Sequence, residues 1–119
     1  MASIKVIALS VDDEKSKIVF VSPTDTNHRL NYDSDAFGFG YTENHESTGI
    51  ERYPFVLEEH DEGVALLDLG STFAKIIAKI DVLDRPINVG GIITYNEIDE
   101  HGVHYGPYAY RISSVVFFE

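Results

Sequence analysis

Apolar and polar residues alternate along the opening of the chain. Residues 3–11 (SIKVIALSV) and 17–22 (KIVFVS) are apolar and rich in β-branched side chains, and the polar run 12–16 separates them as a hairpin loop would. From 23 to 49 the pattern dissolves into Asp, Asn, Ser, Thr and Gly, interrupted by Phe37-Gly38-Phe39-Gly40-Tyr41. A structureless loop of that length is unusual in a small domain, so the aromatic patch is expected to form a short strand or to dock on the core. Residues 52–60 (RYPFVLEEH) and 64–69 (VALLDL) form a second hairpin pattern around Asp61-Glu62-Gly63, with Gly63 free to adopt a positive φ.

The period then changes. Phe73, Ile76, Ile77, Ile80 and Leu83 recur at helical spacing, Lys75 and Lys79 lie four apart on the other side, and Ser71 or Thr72 can cap an N-terminus. Pro86 biases Arg85 away from helix, so the spacing predicts one principal helix over about 71–84. Strand character returns in 87–98 (INVGGIITYNEI) and 108–118 (YAYRISSVVFF), on either side of a turn near 99–102. Gly90-Gly91 reads as a bulge or sharp bend, and Gly106-Pro107 interrupts the returning strand. The order β-β, long loop, β-β, α, β-β predicts a mainly β fold of the β-rich α+β kind. Two architectures fit: an antiparallel sheet with the helix packed on it, or a small, partly closed barrel with the helix inserted before the last two strands, broadly like an OB-type barrel.

No composition shift or linker divides the 119 residues, so one domain over 1–119 is expected. Seven Phe and seven Tyr supply large apolar groups in the absence of Trp. The absence of Cys removes disulfides, thiolate nucleophiles and thiolate metal ligands. No leader pattern or bilayer-length apolar run is present, and a cytoplasmic location is expected.

Charge changes the picture further. Nine Lys and Arg face twenty Asp and Glu, for a net charge of −11. Residues 41–70 hold one Arg against eight acids, which concentrates the imbalance in the middle of the chain. Such a balance argues against direct nucleic-acid binding, which relies on clustered Lys and Arg.

Familiar chemical motifs are incomplete. His101-x-x-His104 lies close to Glu97, Asp99 and Glu100, but the two histidines straddle a predicted turn and lack a metal-site spacing. Asn31-x-Asp33-x-Asp35 resembles the start of a calcium loop, yet Ala36 stands where the turn Gly belongs and Thr42 where the bidentate acid belongs. Gly38-x-Gly40 is too short for a dinucleotide fingerprint. His60 lies between Glu59 and Asp61 without a nucleophile motif. No metal, cofactor or catalytic residue is expected.

What remains is the acidic segment Glu43, Glu46, Glu51, Glu58, Glu59, Asp61 and Glu62, interleaved with Tyr41 and Tyr53. Tyrosine supplies contact area with a hydrogen-bonding tip, and a field of carboxylates steers a cationic partner. A second aromatic group, Tyr105, Tyr108 and Tyr110, surrounds Gly106-Pro107. The leading expectation is an acidic interaction module, an inhibitor, immunity protein or nucleic-acid mimic, that binds a basic protein such as a toxin, nuclease or nucleic-acid-binding protein. The alternatives are a barrel-like module of a larger assembly and a small enzyme or ligand-binding domain with a pocket between sheet and helix. A convex acidic patch favours the first, an unpaired strand edge or apolar patch the second, and a deep pocket with convergent polar groups the third.

Overall fold

A computed structural model describes residues 2–13, 15–33, 36–46, 49–70 and 76–118. Eight strands run in sequence: β1 (Ser3–Ser10), β2 (Lys17–Pro23), β3 (Ala36–Glu46), β4 (Gly49–Asp61), β5 (Val64–Asp68), β6 (Ile77–Ile80), β7 (Ile92–Ile98) and β8 (His104–Phe118). Each pairs antiparallel with the next, and β8 pairs back onto β1, so the sheet is a closed up-and-down barrel. Closure gives every strand two hydrogen-bonded neighbours, which removes the sheet edges that an open antiparallel fold exposes.

The period-two pattern determines which residues fill the interior. Ile4, Val6 and Ala8 of β1, Ile18 and Phe20 of β2, Phe55 and Leu57 of β4, Ala65 and Leu67 of β5, Ala78 and Ile80 of β6, Ile93 of β7 and Ile112 of β8 are buried in one continuous core. The inward positions of β3 contain no large apolar side chain near its middle. Gly38 stands opposite Leu57 and Gly40 opposite Phe55. A Cβ on Gly40 would lie 2.0 Å from the Val19 carbonyl oxygen and 2.7 Å from the Phe20 Cα. The two glycines thus allow β2 and β3 to approach while the rings of Phe20 and Phe55 occupy the space within.

Two connections seal one end. Residues 24–33 and 81–91 meet through the bridge Arg29–Pro86 and through the Ile87 N–H, which donates to the His28 carbonyl at 2.9 Å. Leu30, Val82, Leu83 and Ile87 enter the core from these connections, and the Tyr32 hydroxyl donates to Asp84 on the outside. That hydrogen bond pushes the Tyr32 phenol up to about 12, with burial and the charge of Asp84 adding to the effect.

The helix expected over about 71–84 is not seen. Residues 71–75, including Phe73 and both capping candidates, lie outside the described residues, whereas Ile77–Ile80 is a strand paired with β5 and β7. Ala78 and Ile80 point inward, while Ile77 is 42% exposed. Beyond Ile80 the strand stops because the Asp81 carboxylate accepts the Thr94 N–H at 2.6 Å, and Val82 and Leu83 turn into the plug. Apolar residues of a short strand and a buried loop thus happened to fall at helical spacing. Two other expectations change as well. The aromatic patch at 37–41 belongs to the first half of an eleven-residue strand, and Gly90-Gly91 precedes β7 in a turn, with Gly90 at φ 90°.

The strand assignment separates two positions that a helix would bury alike. Ile80→Ala should cost ~2–5 kcal/mol, as truncation of a buried Ile does, and Ile77→Ala less than ~1 kcal/mol because its side chain already meets water. Urea unfolding of the two variants distinguishes the assignments, since a helix packed through Ile77 requires a large loss at both positions.

Candidate functional site

Among the described residues, no loop closes the end of the barrel opposite the plug. That end is framed by the ends of β1, β3 and β7, the start of β8 and the β1–β2 loop, and it holds a cavity of about 370 Å³. Its lining combines Ser10, Asp12, Asp13 and Ser16 with Thr42 and Asn44 of β3, Tyr95 and Glu97 of β7, and Tyr105, Tyr108 and Tyr110 of β8. On several strands, apolar gives way to polar at one inward step. Ala8 is followed two residues on by Ser10 and Ile93 by Tyr95, while Ile112 is preceded by Tyr110. The apolar core therefore forms the floor of a polar, aromatic mouth.

Tyr105 and Tyr108 lie three apart and would face opposite sides of a regular strand. A register shift corrects this: Tyr108 pairs with Tyr95, and Tyr105 pairs with Glu97, so two residues on β8 are accommodated against one on β7. Gly106 makes the bulge with φ 105°, and a Cβ there would sit 2.8 Å from the Tyr95 carbonyl oxygen. Glycine is the residue that fits both constraints.

The rings pack at defined angles. Tyr95 lies against Tyr108 with centroids 6.4 Å apart and planes 28° apart, and it meets Tyr110 edge-on at 6.2 Å and 67°. The Tyr95 hydroxyl donates to Glu97 Oε1 at 2.6 Å. Burial, followed by that carboxylate, pushes the Tyr95 phenol well above its ordinary value. Burial also pushes up Tyr110, reinforced by Tyr108, Asp13 and Glu97. At the rim, Asp99 ties the β7–β8 turn by accepting the His101 and Val103 N–H groups, both at 2.9 Å, and the Tyr105 hydroxyl at 3.1 Å. The Val103 hydrogen bond is the chief reason that the Asp99 carboxyl falls below its usual range. The lining includes three carboxylates, and no Lys, Arg or His borders the cavity among the described residues.

The acidic segment singled out in the sequence does not form one surface. Glu43 and Glu46 lie on β3 and Glu62 in the β4–β5 turn, while β4 carries the other four along the barrel, and the ten-residue step from Glu51 to Asp61 spans roughly 33 Å. Glu43, Glu46 and Glu51 belong to the mouth end, and Glu58, Glu59, Asp61 and Glu62 to the plugged end. Faces differ as well. Glu51, Tyr53 and Glu59 share the parity of the inward Phe55 and Leu57, whereas Arg52, Val56 and Glu58 share the outer one. Glu43 is only 4% exposed despite lying on the outer face. Arg52 Nε donates to its Oε1 at 2.7 Å, while Lys17 Nζ and His45 Nε2 approach Oε2 at 3.4 and 3.3 Å. The Arg52 guanidinium also lies over the Tyr41 ring at 5.3 Å. Glu43 and Tyr41 are therefore engaged within the protein. The Glu46 side chain lies outside the described residues.

Sequence reasoning brought forward the Tyr105, Tyr108 and Tyr110 group, named Glu97 only as a neighbour of the 101–104 histidines, and missed Tyr95, their partner on the neighbouring strand. The available signal was the period-two pair Tyr95-x-Glu97 immediately after buried Ile93. In the 99–104 turn His101 Nε2 lies 3.6 Å from Glu100 Oε1, but among the described residues no three His, Asp or Glu side chains form a metal-sized cluster. In comparison with known proteins, no family model, no curated protein and no solved structure matches the chain.

The Arg52 hydrogen bond holds the Glu43 carboxyl below its ordinary value of 4.5, against the opposing effect of burial. A depressed carboxylate contributes stability that is present above its unfolded pKa and is lost as pH falls through its folded pKa. Glu43→Gln should therefore lower the urea midpoint at pH 7, with the gap from wild type closing as pH falls below 4.5. A pH-independent gap would attribute the effect to packing rather than to ionisation.

Proposed function

We propose that this protein is a small-molecule-binding barrel whose ligand occupies the open mouth. The observation that carries this reading is the cavity of about 370 Å³ in which polar groups from β1, β3, β7 and β8 converge above an apolar floor. Small-molecule sites commonly occupy ~300–1,000 Å³ and combine apolar or aromatic walls with a few directed polar groups. An eight-stranded barrel has an interior that side chains can fill or that can hold one small ligand. Here the plugged end is filled, and among the described residues the mouth is not. The pocket supports the third sequence-based alternative, with its location moved from a sheet–helix boundary to the barrel mouth. The assembly-module alternative loses the free sheet edge that would favour it, because β8 closes on β1.

A second reading keeps the basic protein partner. It rests on the β4–β5 hairpin at the plugged end, where Glu59, Asp61 and Glu62 are exposed beside partly buried Glu58. Charge reversal at Glu58 and Glu59 would slow association at low salt if this surface steers a cationic partner.

The mouth reading is tested by screening cationic, neutral and anionic metabolites against protein with isotope-labelled tyrosine rings. A ligand of the mouth shifts Tyr95, Tyr108 and Tyr110 together, and Tyr108→Leu weakens it on the order of tenfold, about 1.4 kcal/mol. A screen in which no compound moves these rings would reject the reading.

A further inference from the structure

Resting on that reading, we infer that the mouth takes a small organic cation, an alkylammonium group, held between the faces of Tyr95, Tyr108 and Tyr110 and the carboxylate of Glu97.

The sign of the ligand follows from what the cavity contains. Asp12, Asp13 and Glu97 line it, and no cationic side chain does among the described residues. An anion entering this space would meet three carboxylates and no counter-charge among the described residues. A cleft lined by one sign of charge between low-dielectric walls concentrates ions of the opposite sign, and the net charge of −11 acts in the same direction.

The ring geometry points to the same chemistry. Tyr108 lies nearly parallel to Tyr95, and Tyr110 stands at 67° to it, so the mouth presents aromatic surfaces in more than one plane. Electron-rich faces arranged around a space are how proteins hold quaternary and alkylated ammonium groups, which are too weakly hydrated to need a full set of hydrogen bonds. The phenols of Tyr95 and Tyr110 are raised by burial and stay protonated at neutral pH, so attraction comes from the ring faces and the carboxylate.

Glu97 supplies the ionic partner. It is partly buried on the barrel wall, and the Tyr95 hydroxyl fixes its orientation through Oε1. A carboxylate has a second oxygen and further lone pairs with which to meet a ligand. Asp12 and Asp13 are exposed on the β1–β2 loop, where they contribute field at the entrance. The loop is fixed by the Ser10 N–H, which donates to the Ser16 carbonyl at 2.8 Å, and by the Asp13 N–H, which donates to Ser10 Oγ at 3.2 Å.

The experiment compares choline with 3,3-dimethylbutan-1-ol, which has the same shape without the charge, on the full chain by tyrosine-ring chemical shifts and calorimetry. Choline is expected to shift Tyr95, Tyr108 and Tyr110 and to bind on the order of tenfold more tightly than the alcohol. Glu97→Gln retains an acceptor for the Tyr95 hydroxyl and should reduce choline affinity on the order of tenfold while leaving the alcohol unchanged. Tyr108→Leu, at a 42% exposed position, should weaken choline without unfolding the barrel. A third arm uses N-acetyl-trimethyllysine methylamide: tighter binding than choline assigns the ammonium to a modified side chain, and weaker binding assigns it to a free small molecule. Equal affinity for choline and the alcohol, or indifference of choline to Glu97→Gln, overturns the inference. Neutral compounds moving the mouth tyrosines while both ammonium probes stay silent would reject the cation and leave the ligand-binding reading intact. Silence from every compound would remove both.

Discussion

Closure of the sheet between β8 and β1 is the constraint from which the other features follow. Once eight strands form a ring, inward side chains share a fixed volume, and each strand has to supply residues of a size that fits its neighbours. Where Phe20 and Phe55 are large, β3 contributes Gly38 and Gly40, and at Gly40 the Val19 carbonyl leaves no room for a Cβ. At one end the ring is completed by Leu30, Val82, Leu83 and Ile87 from two loops rather than by strand residues. At the other end no loop of the described chain enters the interior in the same way, and the inward rows become hydroxyls, amides, carboxylates and phenols.

The mouth depends on one departure from regular strand geometry. With even pairing along β8, Tyr105 and Tyr108 would occupy opposite faces, and one of them would leave the cavity. The bulge at Gly106 places both on the inner face, opposite Glu97 and Tyr95. Bulges re-aim side chains at barrel rims and beside binding sites, and this one assembles an aromatic wall from residues whose spacing shows neither strand nor helix period. Local backbone geometry and site composition are therefore coupled: a side chain at position 106 would disturb the wall without removing any of its rings.

Much of the barrel was legible because β1, β2, β4 and β5 combine β-branched or aromatic residues with turn-forming residues between them. β3 was only partly legible, since its inward positions include Gly38, Gly40, Thr42 and Asn44, none of which gives an apolar alternation. The 71–84 segment misled for the converse reason. Its apolar residues serve three environments: Ile77 faces outward, Ile80 faces the core, and Leu83 belongs to the plug. Linear spacing registers that all are apolar and cannot register that they face different directions. The same limit applies to the acidic segment. Seven acids close in sequence look like a patch, but two lie on β3, four are carried by the thirteen-residue β4 from one end of the barrel to the other with alternating faces, and Glu62 lies in the turn beyond it. One of them, Glu43, is absorbed into a network with Arg52, Lys17 and His45.

The same arithmetic explains why the mouth was legible only in part. Its members come from distant parts of the chain, from Ser10 to Tyr110, and none has a short-range motif that marks it. What unites them is the level at which each inward row stops being apolar. Burying a phenol costs free energy unless its hydroxyl is satisfied, and the Tyr95–Glu97 hydrogen bond provides that satisfaction inside the barrel wall. An apolar pair at the same positions would fill the ring with fewer conditions attached, as it does two residues away at Ile93. A core designed for packing alone has no use for a carboxylate and stacked phenols immediately above that residue. Their presence at the end that no described loop plugs links the polar chemistry to the cavity and gives it a directional character that the filled half of the barrel lacks.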